Sequence, residues 1–438
     1  MRYSECLHYL NRLGHEIPAA KSGLDNIRTI LQALGDPQHS YPSILIAGTN
    51  GKGSVAAFLS AILTACGLRT GLYTSPHLIS ADERIALDGQ SITPEAFADC
   101  ISRTAELIQK LDFPCHPTFF ETMTAAAFLY FAETKVDLAV VEAGMGGRTD
   151  STNILEPVLS VITPISIDHQ QYLGETLEEI AYQKAGIIHP QGMVISSKQR
   201  PEVQFVLEQE AKKQEALLWY ADDNAAAITD SADGRFSFTF RGSTFAPMLY
   251  GRHQVLNAVL AISTANQLKE VGYPIPIAAF SEGVNRASIP GRLQKICDSP
   301  AVFLDGAHND EALTKLAEFV CVHTRKPRSL VFATMGDKRF SSLLDRLAQC
   351  FDTIYLTHPS SARAAQPDQL MAIFPNGIWV EKPVEALKLA KQNAETVVVT
   401  GSLYLVGEIL ASYCGRTLQS PVPGSPRARP KSTSYRDH

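Results

Sequence analysis

The chain has 438 residues, 45% of them hydrophobic and 19% charged, a globular composition with room for about two to four domains of ordinary size. Its 39 Lys and Arg against 45 Asp and Glu leave a net charge of −6, which argues against a nucleic-acid-coating protein but not against a local pocket for a small anion. Eight scattered cysteines without a CxxC pair argue against zinc-ribbon spacing and a dense disulfide scaffold. The polar start MRYSECLHYLNRLG has no apolar signal core, and no run of 18 apolar residues follows, so a cytoplasmic protein of a reducing compartment is expected, with neither a membrane nor a nucleic-acid partner.

Short β-rich runs alternate with helical patterns. Ser43 to Ala47 reads as a buried strand and Ser54 to Cys66 as a helix. A strand follows at Thr70 to Thr74, then a helix from Pro94 to Leu111 with Thr93 as N-cap and Pro at its first position. Glu121 to Glu133 is Ala-rich and helical. Asp137 to Glu142, Val158 to Thr163 and Met193 to Ser196 read as strands, and Pro201 to Gln214 as a helix. This βα alternation predicts an α/β fold with a mainly parallel sheet covered on both faces.

Between Arg235 and Leu249 the pattern changes: apolar runs flank Arg241-Gly242 and predict an antiparallel hairpin. Helices resume from Val255 to Val271 and Ile277 to Arg286. After the turn-rich Ile289-Pro290-Gly291-Arg292, a second βα series begins, with strands at Ala301 to Leu304, Ser329 to Thr334, Thr353 to Leu356, Gly377 to Val380 and Thr396 to Thr400. The expected domains are 1–291 and 292–416. The Pro-, Ser- and Arg-rich residues 417–438 are expected to be a disordered tail.

Three features carry chemistry. Gly48-Thr49-Asn50-Gly51-Lys52-Gly53-Ser54 follows a strand and opens a helix, the context in which backbone N–H groups cradle phosphate. Lys52 can reach the phosphates and Ser54 can bind Mg²⁺. The run departs from the standard Walker A string, with Ile46 where a glycine would stand and Gly53 directly after the lysine. Second, the apolar strand ending at Glu142 places a carboxylate where α/β sheets bind ligands and metals; a bland surface acid is the other reading. Third, Asp168-His169 and Lys184-Ala185-Gly186 stand alone in chemical terms. A histidine there can be a structural hydrogen-bonder and a lysine a solvated helix end.

These residues resemble the Mur ligase family: GTNGKGS at 48–54, YTSPHL at 73–78, FFET at 119–122, EAGMGGRTDSTN at 142–153, ITPISIDHQQYLGETLEEIAYQKAGII at 162–188, GRHQVLNA at 251–258, PGR at 290–292 and DGAHN at 305–309. Within it they are most similar to the folate branch, dihydrofolate synthase and folylpolyglutamate synthase, over about residues 20–412. The resemblance implies a P-loop-type ATPase domain followed by a smaller Rossmann-like domain, and a monomer. It implies ATP-dependent addition of L-glutamate to dihydropteroate, to reduced folates, or to both, through an acyl phosphate. Another Mur-type amino-acid ligase and a P-loop small-molecule kinase are the alternatives.

The resemblance also assigns residues. Lys52, His169 and Lys184 would be catalytic. The loop 48–54 with Asn257, Arg292, Asp305 and His308 would bind ATP. One Mg²⁺ would lie between Ser54 and Glu142, and a second near His169 and a carbamylated Lys184; a K⁺ ion is a further implied cofactor. Ser75, Pro76, His77, Phe120 and Asp150 would hold the pterin, although Phe120 can equally be core. His308 and Ser402 would hold glutamate, although Ser402 can equally be a helix N-cap. The segment Ser75 to Asp88 is expected to be a mobile loop over the substrate, and the two domains to close about a hinge near Arg292.

Overall fold

Alternation along β1 (Ser43–Ala47) sets the layering of the first lobe: Ile44 and Ile46 face one apolar core, Leu45 and Ala47 the other, and all four are fully buried. Among the described residues, seven further strands join this sheet: β2 (Thr70–Tyr73), β3 (Ile85–Leu87), β4 (Gln90–Ser91), β5 (Leu138–Glu142), β6 (Leu159–Ile162), β7 (Met193–Ser196) and β8 (Leu217–Tyr220). Their order is β4-β3-β2-β5-β1-β6-β7-β8. From β2 to β8 every pairing is parallel; β3 and β4 add an antiparallel edge. Helices Pro94–Ile108 and Phe119–Glu133 cover one face, Lys52–Ala65 and Arg252–Glu270 the other. This is a computed structural model, and it describes residues 1–13, 23–231, 233–336, 338 and 343–416; the tail expected to be disordered lies outside them.

A three-stranded antiparallel sheet follows, β9 (Ala227–Asp230), β10 (Phe236–Phe240) and β11 (Ser243–Phe245). Its predicted turn is Arg241-Gly242, both residues left-handed at φ 50° and 78°, the backbone that a two-residue hairpin loop requires. Phe238 and Phe245 stack across the pair at 4.9 Å and join the core beneath.

Among the described residues the second lobe has six strands: β12 (Gln294–Asp298), β13 (Ala301–Leu304), β14 (Arg328–Phe332), β15 (Thr353–Leu356), β16 (Ile378–Trp379) and β17 (Thr396–Thr400), in the order β12-β13-β17-β14-β15-β16. β12 pairs antiparallel with β13, and the other five strands pair in parallel. The lobe has its own core on each face of the sheet. No helix among the described residues is long and apolar enough to cross a membrane.

The structure adds elements the pattern did not announce: helices Tyr3–Arg12 and Asp25–Ala33, and the strands β3, β4, β8, β9 and β12. Most of these strands are short or lie at a sheet edge, where burial imprints little periodicity. The segment expected as a mobile loop holds the 3-10 turn Ala81–Arg84 and β3. Leu78 and Ile79 both donate their N–H groups to the Glu83 carboxylate at 2.9 and 3.2 Å. Ile79 packs into the second lobe's core, in the cluster that also holds Val406 and Leu410. Cys321 and Cys350, 29 residues apart, form a disulfide; the other six cysteines are free.

Gly283, within helix Ile277–Arg286, lies so close to helix Lys52–Ala65 that a Cβ would stand 2.4 Å from the Ile62 Cα. Alanine ordinarily stabilises a helix interior by roughly 0.5–1 kcal/mol over glycine, but overpacking against backbone costs about 1–3 kcal/mol. Gly283→Ala is therefore expected to lower the melting temperature by several degrees. A higher melting temperature would contradict this contact.

Candidate active site

The loop between β1 and helix Lys52–Ala65 is shaped by two glycines. Gly48 has φ 148°, and a Cβ there would meet Thr163 Oγ1 at 1.9 Å; Gly51 has φ 90°, and its Cβ would meet Asn257 Oδ1 at 2.5 Å. Any side chain at either position would collide with an element that lines the site. The N–H groups of Thr49 and Asn50 donate to Pro164 O at 3.0 and 3.3 Å, which ties the loop to the segment after β6. The Lys52 ammonium curls over the loop, donating to the Gly48 and Thr49 carbonyls, both at 3.3 Å. A helix N-terminus, an ammonium and a glycine-rich turn together form an anion site.

Beside the loop stand Ser54 and Glu142, the latter 4% exposed at the end of β5. Burial pushes the Glu142 carboxyl up; Lys52, the Ser75 N–H at 3.1 Å and Arg292 oppose the shift. A buried carboxylate and a hydroxyl are the hard oxygen donors that Mg²⁺ prefers, so this pair fits the implied ion. Lys184, also 4% exposed, donates to the Gly48 carbonyl at 2.7 Å. Burial, and next the nearby Lys52 charge, bring its pKa down to about 7. An amine that is part neutral at physiological pH can react as a nucleophile, the property carbamylation needs. As a bare ammonium it would be no metal ligand.

Two cavities join here. The first, about 200 Å³, is lined by the whole loop 48–54, Glu142, His169 and Lys184 from the first lobe, by Asn257 on its helix, and by Arg292, Asp305 and His308 from the second lobe's side. Asp305 accepts the Leu293 and Ala307 N–H groups at 2.8 and 2.9 Å, and burial raises its carboxyl despite the nearby Arg292. The Asn257 amide donates to Gln254 Oε1 at 3.0 Å. The second cavity, about 210 Å³, has Ser75, Pro76, Phe120 and Asp150 on one side and His308 and Ser402 on the other. Asp150 accepts from the Met145 N–H and the Thr152 N–H and hydroxyl, at 2.8, 3.0 and 2.6 Å.

For the two residues with a second reading, the structure shows the packing or capping role together with a place on the cavity wall. Phe120 is packed in the core and still lines the second cavity. Ser402 caps helix Leu403–Tyr413, accepting the Tyr404 N–H at 3.2 Å, and lines that cavity too. His77 is the exception among the expected site residues. Its ring accepts from Arg84 Nε at 2.9 Å, tilts against Phe119 and lines neither cavity; burial, then the Arg84 charge, hold it well below the usual histidine pKa. The loop resemblance gave no information on which way that ring turns.

Three lining residues carried no signal in the sequence, Lys338, Arg363 and Tyr404, and Asp168, noted there beside His169, was given no role. Burial works against ionising Asp168, but His308, His169 and Lys338 outweigh it and hold the carboxyl well below the ordinary range.

Family models match in the same order as the lobes. The Mur ligase middle domain matches residues 46–265, and the Mur ligase glutamate ligase domain matches residues 291–403. The chain belongs to the Mur ligase family. Within this family it is 36% identical to the dihydrofolate synthase/folylpolyglutamate synthase of Bacillus subtilis, over 89% of this chain and 94% of that one. It is 32% identical to the folylpolyglutamate synthase of Lacticaseibacillus casei, over 95% and 99%. Among solved structures, Mycobacterium tuberculosis folylpolyglutamate synthase complexed with ADP superposes with a TM-score of 0.85 at 32% identity, covering 94% of this chain and 99% of that one. Escherichia coli FolC in complex with DHPP and ADP gives 0.83 at 27%, covering 95% and 98%. The Mur ligase architecture of two α/β lobes is thus shared over nearly the whole length.

The lowered pKa of Lys184 has a consequence for stability. Between about pH 7 and the ordinary lysine pKa of roughly 10.4, the unfolded chain binds a proton that the folded chain does not. Lys184 therefore makes stability rise with pH across that window. Urea unfolding of wild type and Lys184→Met is expected to show this slope only in the wild type; equal slopes would contradict the buried, depressed amine.

Proposed function

We propose that this chain is an ATP-dependent ligase that joins L-glutamate to dihydropteroate and to reduced folates, working as a monomer in the cytoplasm. The observation that carries the reading is the junction of the two cavities. A phosphate loop with an acid and a lysine opens directly onto a cleft whose walls come from both lobes.

ATP would lie along the loop, with its adenine toward Asn257 and Arg292 on its phosphates. The pterin would sit between Phe120 and Asp150, whose carboxylate suits ring N–H and amino groups. The substrate carboxylate attacks the γ-phosphate, ADP departs, and an acyl phosphate results. The glutamate amino group, held near His308 and Ser402, then attacks the acyl carbon; phosphate leaves and the amine gives up a proton. This chemistry asks for alignment and charge neutralisation rather than an elaborate acid–base pair. Lys52 supplies positive charge at the transferring phosphoryl group. The enclosing lobes exclude water, which protects the acyl phosphate from hydrolysis.

Ser54 and Glu142 would hold one Mg²⁺, and His169 with a carbamylated Lys184 a second; a K⁺ ion completes the proposed cofactors. Bound Mg²⁺ supplies neutralisation of phosphate charge. Carbamylation converts the Lys184 amine into a carboxylate-like ligand.

The deciding experiment measures phosphate release from ATP with L-glutamate, with dihydropteroate or tetrahydrofolate as acceptor, and product masses. Glutamate addition to both is expected. Addition to one alone would restrict the activity to that acceptor, and addition to neither would overturn the reading. Lys184→Ala is expected to abolish turnover, with partial rescue by added short carboxylic acids; full activity of that variant would remove Lys184 from the mechanism.

A further inference from the structure

Where the two cavities meet lies a charge pair that no role above uses: Lys338 lines the acceptor cavity and Asp168 the first. Asp168 belongs to the first lobe, in the segment after β6, and its side chain is 8% exposed. Among the described residues, the second lobe sends three side chains to its carboxylate. Lys338 Nζ lies 2.6 Å from Oδ1. Asn309 Nδ2 donates to Oδ2 at 3.2 Å, and His308 Nε2 lies 3.6 Å from the same oxygen. From its own lobe come the His169 N–H at 2.8 Å and the His169 ring at 3.9 Å.

Asn309 fixes the orientation of this contact. Its Oδ1 accepts the Ala312 N–H at 3.0 Å and so caps helix Asp310–His323. The amide nitrogen must then face the first lobe, where it also reaches Asn50 Oδ1 in the phosphate loop at 3.0 Å. Asn50 Nδ2 in turn donates to Glu311 Oε2 at 3.0 Å. One turn of the second lobe is thus gripped at two points, by Asp168 and by Asn50. The Asp168 grip is the one that pairs opposite charges across the lobes, and Lys338 and His308, which it holds, both line the acceptor cavity.

We propose that Asp168 is a positioning residue for glutamate addition: its carboxylate fixes Lys338 and the His308-Asn309 turn, and so sets the width of the cleft that receives the incoming amino acid. The inference rests on the proposed function for the identity of that amino acid. The physical basis is the asymmetry of buried ion pairs. Removing one partner leaves the other charge stranded in a poorly hydrated site, so the lobes separate until water reaches it.

The test uses the full chain with Asp168→Asn, Lys338→Met, the double variant, and Lys338→Arg as the conservative replacement. Each single variant is expected to raise KM for glutamate by about tenfold or more, with KM for ATP changed less than about threefold, because a charge pair at a cleft controls the ligand that enters there. The double variant should be no worse than the poorer single one, the non-additivity expected of two residues acting through one contact. Lys338→Arg should recover most of the loss. An unchanged glutamate KM in Asp168→Asn, losses that multiply in the double variant, or an ATP KM that rises in step with that for glutamate would each overturn the proposal. Solution scattering of the ligand-free chains reads the contact without turnover. Asp168→Asn and Lys338→Met should each enlarge the radius of gyration, and profiles identical to wild type would overturn it. If wild type added glutamate to neither acceptor, the functional reading would fail while scattering still decided the grip between the lobes; if Asp168→Asn did not fold, Lys338→Met would decide it.

Discussion

Everything in this molecule depends on burying charge where the carboxyl ends of two sheets face each other. The first sheet delivers the phosphate loop after β1, Ser75 after β2, Glu142 at the end of β5 and Asp168 after β6. The second delivers Asp305 after β13 and Ser402 after β17. Open α/β sheets bind ligands at this edge because the loops there are free of the ladder and can carry polar groups. Placing two such edges against each other encloses the ligand from both sides. The cost is a set of ionisable groups removed from water, and their shifted pKa values record it: Glu142 and Asp305 upward, Lys184 downward.

That arrangement divides the labour of an amide-forming reaction. The first lobe has the rigid parts, a loop whose path two glycines dictate and an amine held against the Gly48 carbonyl. The second lobe has groups on turns, His308, Lys338 and Ser402, whose place relative to the loop depends on how the lobes meet. The segment after β2 links the two, since Ile79 packs into the second lobe's core while Ser75 donates to Glu142. Gly407 lets the backbones approach there: a Cβ would stand 2.0 Å from the Leu78 carbonyl oxygen. A reaction that passes through a water-sensitive acyl phosphate benefits from a site that is complete only when both halves are in contact.

Local patterns made much of this legible in the sequence. A five-residue apolar strand, a glycine turn and a helix announce the phosphate loop, and the Arg241-Gly242 hairpin announces itself by the backbone it needs. Thr93 caps its helix as its position beside Pro94 indicates. What stayed hidden depends on pairings distant in the chain. Asp168 and Lys338 are 170 residues apart, and neither sits in a pattern that marks it as a partner. Cys321 and Cys350 likewise meet only because helix Asp310–His323 and the end of Leu343–Ala348 pack together. The His77 ring lay within a legible motif but is turned by a buried arginine from a neighbouring turn. Motifs identify the segments that converge on a site, while ring orientation and contacts between lobes are fixed by packing.

In the proposed reaction the substrate carboxylate itself attacks ATP inside this cleft. An isotope measurement tests it most directly: dihydropteroate labelled with ¹⁸O in both carboxylate oxygens is turned over with ATP and L-glutamate, and the released phosphate is weighed by mass spectrometry. Each phosphate is expected to carry one labelled oxygen, the other remaining in the amide. Unlabelled phosphate, with the amide product formed, would show that ATP is cleaved by water or by another group and would contradict the acyl-phosphate route.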